Sequence, residues 1–146
     1  MGYTHYWENT ADAIPYEALV IIREIIEDAY KAGLIQYEED DAKPPVVTEK
    51  LIRFNGVGAN AHETFSFNVQ DDYRTSDGKP FAFCKTAEKP YDAVVMKVLI
   101  VLKRYLRDGL RVTSDGSFAE EWEDARAEME ERYGIHTYVD ARLEVL

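Results

Sequence analysis

The residues best suited to bind a ligand lie in the segment FCKTAEKPYD, at Phe83–Asp92. Lys85 and Lys89 carry ammonium groups, Thr86 carries a hydroxyl, and Pro90 is well placed to begin a helix. The first backbone N–H groups of a helix lack partners within the helix and attract anions. The segment therefore predicts a site for a phosphate or a carboxylate at Lys85, Thr86 and Lys89. The purely structural alternative is a capping threonine with two solvated lysines.

Aromatic side chains near the start of the chain could line the same pocket. Tyr3, His5 and Trp7 alternate along a predicted strand at Gly2–Glu8 and share one of its faces. Aromatic rings can stack on the base of a nucleotide-like ligand, and Phe65 of a later predicted strand is a further candidate. The complete predicted ligand-binding set is Tyr3, His5, Trp7, Phe65, Lys85, Thr86, Lys89 and Asp115.

Catalytic interpretations have less support in the sequence. Cys84 could act as a nucleophile with His5 or His62 as base, but a cysteine in the run FAFC is typical of a core residue. A hydrolase using Asp92 or Asp115 with His5 is no better supported. Three histidines without paired spacing do not predict a zinc site, and no cofactor is expected. The sequence does not point to an enzyme.

The elements that must position these residues follow from periodicity and turn residues. A long apolar helix beginning at Pro90 and stopping near Gly109 is predicted at the centre of the fold. Two further helices are predicted at Pro15–Gly33 and Phe118–Tyr133. The predicted strands are Gly2–Glu8, Glu49–Phe54, Glu63–Val69, Pro80–Lys85 and Leu110–Thr113.

These elements predict one α+β domain spanning residues 1–146. A mixed, mostly antiparallel sheet would pack against the central helix, and the second and third strands would form a hairpin. The final segment, His136–Leu146, would either add an edge strand or dock along the surface.

Composition narrows the class of partner. The formal net charge is −11 and the sequence pI is about 4.7, which disfavours nucleic acid polymers and anionic membranes. The single cysteine excludes an intramolecular disulfide framework. Charged residues interrupt the longest apolar run, so the sequence does not predict a membrane-spanning helix. No secretory signal is visible at the start of the chain. These features predict a cytoplasmic protein.

Three motifs in this order resemble those of a family of small, uncharacterised phage and bacterial proteins. They are GYTHYW at 2–7, FCKTAEKPYD at 83–92 and SDG at 114–116. The resemblance implies a phage or prophage setting, and hence the host cytoplasm, and it includes no enzyme signature. Phage proteins of this size often counter host defence, so the resemblance implies that role by association.

Two functions from different classes are compatible with the sequence. The leading hypothesis is a binding protein for an anionic, nucleotide-like small molecule, acting as a counter-defence sponge. The alternative is an acidic inhibitor or DNA mimic that binds a host protein through its acidic C-terminal helix. The apolar residues of the last segment could also form a homodimer edge.

Overall fold

The computed structural model describes residues 3–69, 81–138 and 140–145. The predicted turn at Asp71–Lys79 lies outside these ranges, as do Gly2, Pro80 and Leu146. The helices are α1 (Tyr16–Lys31), α2 (Asp92–Leu106) and α3 (Glu123–Tyr133). The strands are β1 (Thr4–Asn9), β2 (Val46–Val47), β3 (Leu51–Phe54), β4 (Phe65–Asn68), β5 (Ala82–Lys85), β6 (Leu110–Ser114), β7 (Thr137–Tyr138) and β8 (Glu144–Val145).

The α+β class is confirmed, with the strands divided among three small sheets. Their orders are β5-β1-β6, β2-β3-β4 and β7-β8, and every pairing within them is antiparallel. The predicted hairpin is confirmed as β3–β4. The two three-stranded sheets meet through side chains, because Trp7 of β1 packs against Phe65 and Phe67 of β4. The predicted single sheet is thus replaced by sheets that share one core.

Helix α2 is the centre of that core. Ten of its fifteen residues are buried, and it contacts α1, α3, β6 and β8. The helix begins at Asp92, two residues later than predicted, because Pro90 and Tyr91 form a turn ahead of it. A 3-10 turn at Arg107–Gly109 follows and leads into β6. Burial on more than one side explains why apolar residues occupy most of its circumference.

Lys103 departs from the solvated position that the charge pattern predicts. Its side chain is buried near the end of α2, where Nζ donates to the carbonyl oxygens of Arg107 at 2.9 Å and Leu110 at 2.6 Å. Burial lowers the pKa of Lys103, and the charges of Glu144 and Asp108 oppose that shift. Because Lys103 donates to backbone carbonyls that follow the helix, it stabilises the connection between α2 and β6.

The other two helices flank α2. Helix α1 buries one apolar face, and Gly33 ends it with a φ of +76° while the Leu34 N–H donates to the Ala29 carbonyl. Helix α3 begins at Glu123, five residues later than predicted. Its predicted inner face, Phe118, Trp122, Ala125 and Met129, is buried as expected.

Ion pairs join two of the helices, and the final segment of the chain packs on β6. Arg132 of α3 pairs with Glu24 and Asp28 of α1. The final segment forms the hairpin β7–β8 and docks on β6, because the Leu143 N–H donates to the Val112 carbonyl. No helix in the described ranges is both long enough and apolar enough to cross a bilayer.

Candidate functional site

A buried chain of polar side chains links β1, β6, α2 and the turn before α2. His5 is fully buried at the centre. Its Nδ1 lies 2.7 Å from the Ser114 hydroxyl, and its Nε2 lies 2.6 Å from Oδ1 of Asp92. The Thr86 hydroxyl donates to the same Asp92 oxygen at 2.6 Å. Residues far apart in sequence therefore meet in one hydrogen-bonded network.

The usual donor and acceptor roles of these groups indicate which atoms of the network carry hydrogens. The Ser114 oxygen accepts from the Gly116 N–H at 3.0 Å and from the Trp122 indole N–H at 3.2 Å, which uses both lone pairs. Ser114 must then donate its own hydrogen to Nδ1 of His5. The Asp92 carboxylate can only accept, so Nε2 carries the imidazole hydrogen. Both ring nitrogens of His5 therefore have a hydrogen-bond partner within the network.

The order serine, histidine and aspartate is that of a nucleophile, a base and an orienting acid. A serine nucleophile needs an oxygen that can approach a substrate. The Ser114 oxygen already has three hydrogen-bonded neighbours, and the rings of Tyr3 and Trp122 stand edge-on to His5 at 5.2 and 5.0 Å between centroids. In this arrangement the network clamps four elements together and does not present a nucleophile.

The turn that follows β5 is held in a strained conformation beside this network. Ala87 and Glu88 have φ values of +52° and +57°, the left-handed region that non-glycine residues rarely adopt. The N–H groups of Thr86 and Ala87 both donate to the Tyr3 carbonyl, at 3.1 and 3.3 Å. The bond from Thr86 to Asp92 fixes the other side of the turn. Such strain persists where surrounding contacts over-determine the backbone, and it clusters at functional sites.

Tyr3 completes this cluster from the start of β1. Its hydroxyl is buried and has no hydrogen-bond partner of normal geometry among the described residues. Burial raises the pKa of Tyr3, and the negative charges of Asp92, Glu121 and Glu88 raise it further, while the Ser114 hydroxyl offsets part of the rise. Of the predicted ligand-binding residues, the structure brings together Tyr3, His5 and Thr86.

The predicted open anion site at the start of α2 is not present in this form. The Thr86 hydroxyl is already bonded to Asp92. The N–H groups of Asp92, Val94 and Val95 donate to the carbonyls of Lys89 and Tyr91. The Asp92 carboxylate also stands at the positive end of the helix, where it would repel an anion. Of the predicted anion ligands, the side chains of Lys85 and Lys89 are the ones that are not committed to this network.

Lys85 and Lys89 are placed differently from their buried neighbour Thr86. Both side chains are partly exposed, and neither forms an ion pair with any of the described residues. Lys85 lies at the end of β5, directly across from Thr4 of β1. These are two unneutralised cations on a protein whose net charge is −11.

Two predicted pocket residues belong to the core instead. Trp7 is 3% exposed and Phe65 is fully buried, and their rings pack at 5.2 Å between centroids. Alternation placed Trp7 on the inner face with His5, but that face covers the hydrophobic core. Asp115 is exposed, and its carboxylate accepts from the Thr4 N–H and the Tyr6 hydroxyl. It supports the start of β1.

The outer face of the sheet β5-β1-β6 carries aromatic residues that the predicted site omitted. Phe83 is 50% exposed and lies opposite Tyr6, whose ring stacks on Phe81 at 6.1 Å and 25°. Phe81 also contacts Phe83 at 6.0 Å between centroids. Because side chains alternate along β5, Phe83 and Lys85 share the face opposite buried Cys84. We refer to Tyr6, Phe81, Phe83 and Lys85 together as the aromatic platform.

The same alternation explains why Cys84 is not a nucleophile. Burial raises the pKa of the Cys84 thiol to about 12, so the reactive thiolate is strongly disfavoured at neutral pH. The thiol points to the carbonyl of Glu63, and His5 is committed to Ser114 and Asp92. His62 is exposed.

Within the described part of the chain, no group of three or more His, Cys, Asp or Glu side chains could hold a metal ion.

Comparison with protein-family models, with curated proteins and with solved structures gives no match for this chain.

Proposed function

We propose that the protein binds an anionic, nucleotide-like small molecule on the aromatic platform. The observation that carries the proposal is the half-exposed ring of Phe83, which lies opposite Tyr6 and on the same strand face as Lys85. This placement preserves the ligand class that the sequence predicts and replaces Trp7 and Phe65 with residues that a ligand can reach.

Phe83 would supply the contact with the base. Stacking of a base on an aromatic side chain contributes about 1–3 kcal/mol and tolerates any base. The Phe83 ring contacts the Phe81 ring at 6.0 Å between centroids, and Phe81 in turn stacks on Tyr6 at 6.1 Å. A ring fixed by its neighbours loses little conformational entropy on binding.

Lys85 would contact the phosphate, with Lys89 as a second cation on the following turn. Neither ammonium group forms an ion pair with a described carboxylate, which supports their assignment to the ligand. The strained turn at Ala87 and Glu88 and its bonds to Tyr3 fix the backbone that carries both lysines. His5, Asp92 and Thr86 act behind this surface by holding the turn in place.

The global charge favours a small ligand over a polymer. A nucleic acid polymer would place many phosphates against a surface whose net charge is −11. A mononucleotide or a cyclic nucleotide needs only a local pair of cations. In the phage setting that the sequence resemblance implies, such a protein would act by sequestering a signalling nucleotide of the host defence.

A thermal-shift panel of mono-, di- and cyclic nucleotides tests this proposal and the role of Lys85. A ligand at about 100 times its Kd should stabilise the protein by about 2.7 kcal/mol. We expect Lys85→Gln to weaken binding about 10-fold or more, since charge-assisted hydrogen bonds contribute about 1.5–3 kcal/mol. The matched control is Lys31→Gln, which removes an exposed lysine from α1. Equal weakening by both variants would show that only the overall charge matters.

Acidic residues around the start of α3 support a second candidate function, the binding of a basic host protein; Glu120 and Glu121 precede the helix, and Glu123 and Asp124 lie in its first turn. Glu120, Glu121, Glu123 and Asp124 are exposed, and none forms an ion pair with a described residue. The test is salt-dependent capture of a partner by the wild type and by the variant Glu120→Gln/Glu121→Gln/Glu123→Gln/Asp124→Asn. Capture that survives both high salt and this variant would rule out the acidic surface as the contact.

A further inference from the structure

We propose that two copies of this chain pair through an exposed stripe of α1, with the two helices antiparallel about a two-fold axis. The stripe consists of Tyr16, Val20, Arg23, Glu27, Tyr30 and Leu34. All six are exposed in the structure, and Tyr16, Val20, Tyr30 and Leu34 are 71, 47, 37 and 41% exposed. This is the largest group of exposed apolar side chains on any one described element.

The spacing of the stripe is that of a helix that packs against another helix. Successive members are four, three, four, three and four residues apart, which is the 3.5-residue period of a helix–helix contact. The core-facing residues of α1 lie on another side, so the stripe is a second packing face of the same helix. Leu34 follows the helix but is folded back against its end by the bond from its N–H to the Ala29 carbonyl.

The order of residues along the stripe makes it self-complementary. Positions 16 and 34, 20 and 30, and 23 and 27 are each centred on position 25. In an antiparallel pair crossing there, Val20 of one copy meets Tyr30 of the other. Arg23 of each copy meets Glu27 of the other, so one contact produces two identical ion pairs. An isologous interface has this reciprocity.

Within the described part of the monomer, the Arg23 guanidinium donates to a neutral acceptor, the Val47 carbonyl at 3.4 Å, so its charge is left for a carboxylate of a second copy. Arg23 and Glu27 are one turn apart, yet they form no ion pair with each other or with any other described residue. The neighbouring carboxylates Glu24 and Asp28 are instead bound by Arg132 of α3. The stripe therefore has no net charge on a chain of net charge −11, which lets two acidic molecules approach there.

A hollow beside the stripe would receive the second copy. It has a volume of about 250 Å³ and is lined by Arg23, Ile26, Glu27, Tyr30, Pro44, Pro45 and Val47. It lies along the half of the stripe that contains Tyr30, where the pairing places Val20 of the second copy. Helices of sixteen residues are about 24 Å long, so the contact is small and we expect a weak, concentration-dependent dimer.

Sedimentation velocity of the full chain from about 5 µM to about 500 µM, the range for a small interface, tests the pairing. We expect reversible dimer formation by the wild type and at least about 10-fold weaker dimerisation of Arg23→Glu, which opposes Glu27 with a like charge. Glu27→Arg should behave in the same way. Lys31→Glu is the control, because it makes the same charge change on α1 outside the stripe.

Complementation separates a lost contact from a lost fold. An equimolar mixture of Arg23→Glu and Glu27→Arg should form a heterodimer, since both ion pairs are restored between the two chains. The single chain carrying both changes should dimerise like the wild type. A wild type that stays monomeric over the whole range would overturn the proposal. So would a dimer that Arg23→Glu leaves unchanged, or one that Lys31→Glu weakens equally.

Discussion

At the scale of single residues, the hydrogen bonds of His5 show how the sequence encodes one arrangement of distant elements. His5 and Asp92 are 87 positions apart, and His5 and Ser114 are 109 apart. A buried polar group needs its partner, because an unsatisfied donor or acceptor costs about 1–3 kcal/mol. The network therefore penalises any register of β1 that moves His5 away from its partners.

Asp92→Ala tests the energy of this network. The change leaves the His5 Nε2–H and the Thr86 hydroxyl without their acceptor, and we expect a loss of about 2–5 kcal/mol in the free energy of unfolding. Asp124→Ala is the matched control, because Asp124 is an exposed carboxylate in the first turn of α3. It should cost no more than about 1 kcal/mol, the helix-dipole contribution. Urea unfolding measures both, and equal losses would contradict the network.

Cys84 gives a prediction for alkaline solution. The native thiol keeps its proton up to a pKa of about 12, whereas the ordinary thiol titrates near 9.0. Between these two values the unfolded chain releases a proton that the folded chain retains, so stability is lost as the pH rises. The loss from this group approaches about 1.4 kcal/mol per pH unit.

Cys84→Ala should therefore show a shallower fall in the free energy of unfolding between pH 9 and pH 11 than the wild type, over the window set by the two thiol pKa values. Its stability at pH 7 will also drop, because a buried side chain is truncated. The slope, not the value at pH 7, is the test. Tyr3 and Tyr133 are common to both proteins and cancel in the difference, whereas the thiol helps to raise the pKa of Tyr91, so the difference includes its effect on that tyrosine. Identical slopes would show that the thiol does not contribute.

At the scale of elements, the turn between β5 and α2 connects the buried network to the aromatic platform. Its two left-handed residues are alanine and glutamate, which adopt this conformation at a cost of about 1–2 kcal/mol each. The turn is stable because Tyr3 and Asp92 bond its backbone and its threonine.

Ala87→Gly should relieve this strain. Glycine adopts positive φ freely but also makes the unfolded chain more flexible, so we expect a change between zero and about +1 kcal/mol in stability. Ala93→Gly is the control, because Ala93 is exposed in the first turn of α2 and the change should cost about 1 kcal/mol. Thermal unfolding of both variants measures the difference. A destabilisation of Ala87→Gly equal to that of Ala93→Gly would mean that the turn carries no strain.

The helices and most strands were predictable because their signals are local. Apolar spacing identified α1 and α2, and alternation identified β1 and β4. The start of α3 was placed too early, since Phe118 and Trp122 fit helical spacing although the chain reaches them through turns. β2 is only two residues long and has no period to detect. The division into three sheets depends on packing between β1 and β4, which local patterns do not specify.

The candidate site was only partly predictable for the same reason. Lys85 and Lys89 were found from composition and spacing, and neither has a described ion-pair partner. The pairing of His5 with Asp92 has no signal in local sequence. The exposure of Phe83 could have been predicted from the sequence. Phe83 is two residues from Lys85 and therefore lies on the same face of β5, opposite the face of Cys84. The sequence analysis assigned Cys84 to the core but gave no role to Phe83.

At the scale of the whole molecule, three surfaces have different roles in this account. The outer face of β5-β1-β6 offers the half-exposed ring of Phe83 and a lysine that has no ion-pair partner among the described residues. The residues around the start of α3 offer carboxylates that form no ion pair with a described residue, and the stripe offers an apolar face without net charge. The platform and the stripe are separate sets of residues. We therefore expect Phe83→Ala to weaken the proposed ligand binding without changing dimerisation, and Arg23→Glu to weaken the proposed dimer without changing ligand binding.

Calorimetric titration of a mononucleotide panel into the wild type and Phe83→Ala tests whether the aromatic platform binds a nucleotide. We expect saturable binding of one nucleotide class, and a loss of about 10-fold or more in affinity when the stacking ring is removed. Tyr138→Ala removes a ring that is 49% exposed, close to the 50% of Phe83, and should leave the affinity unchanged. No binding of any nucleotide, or equal affinities of wild type and Phe83→Ala, would contradict the proposed platform.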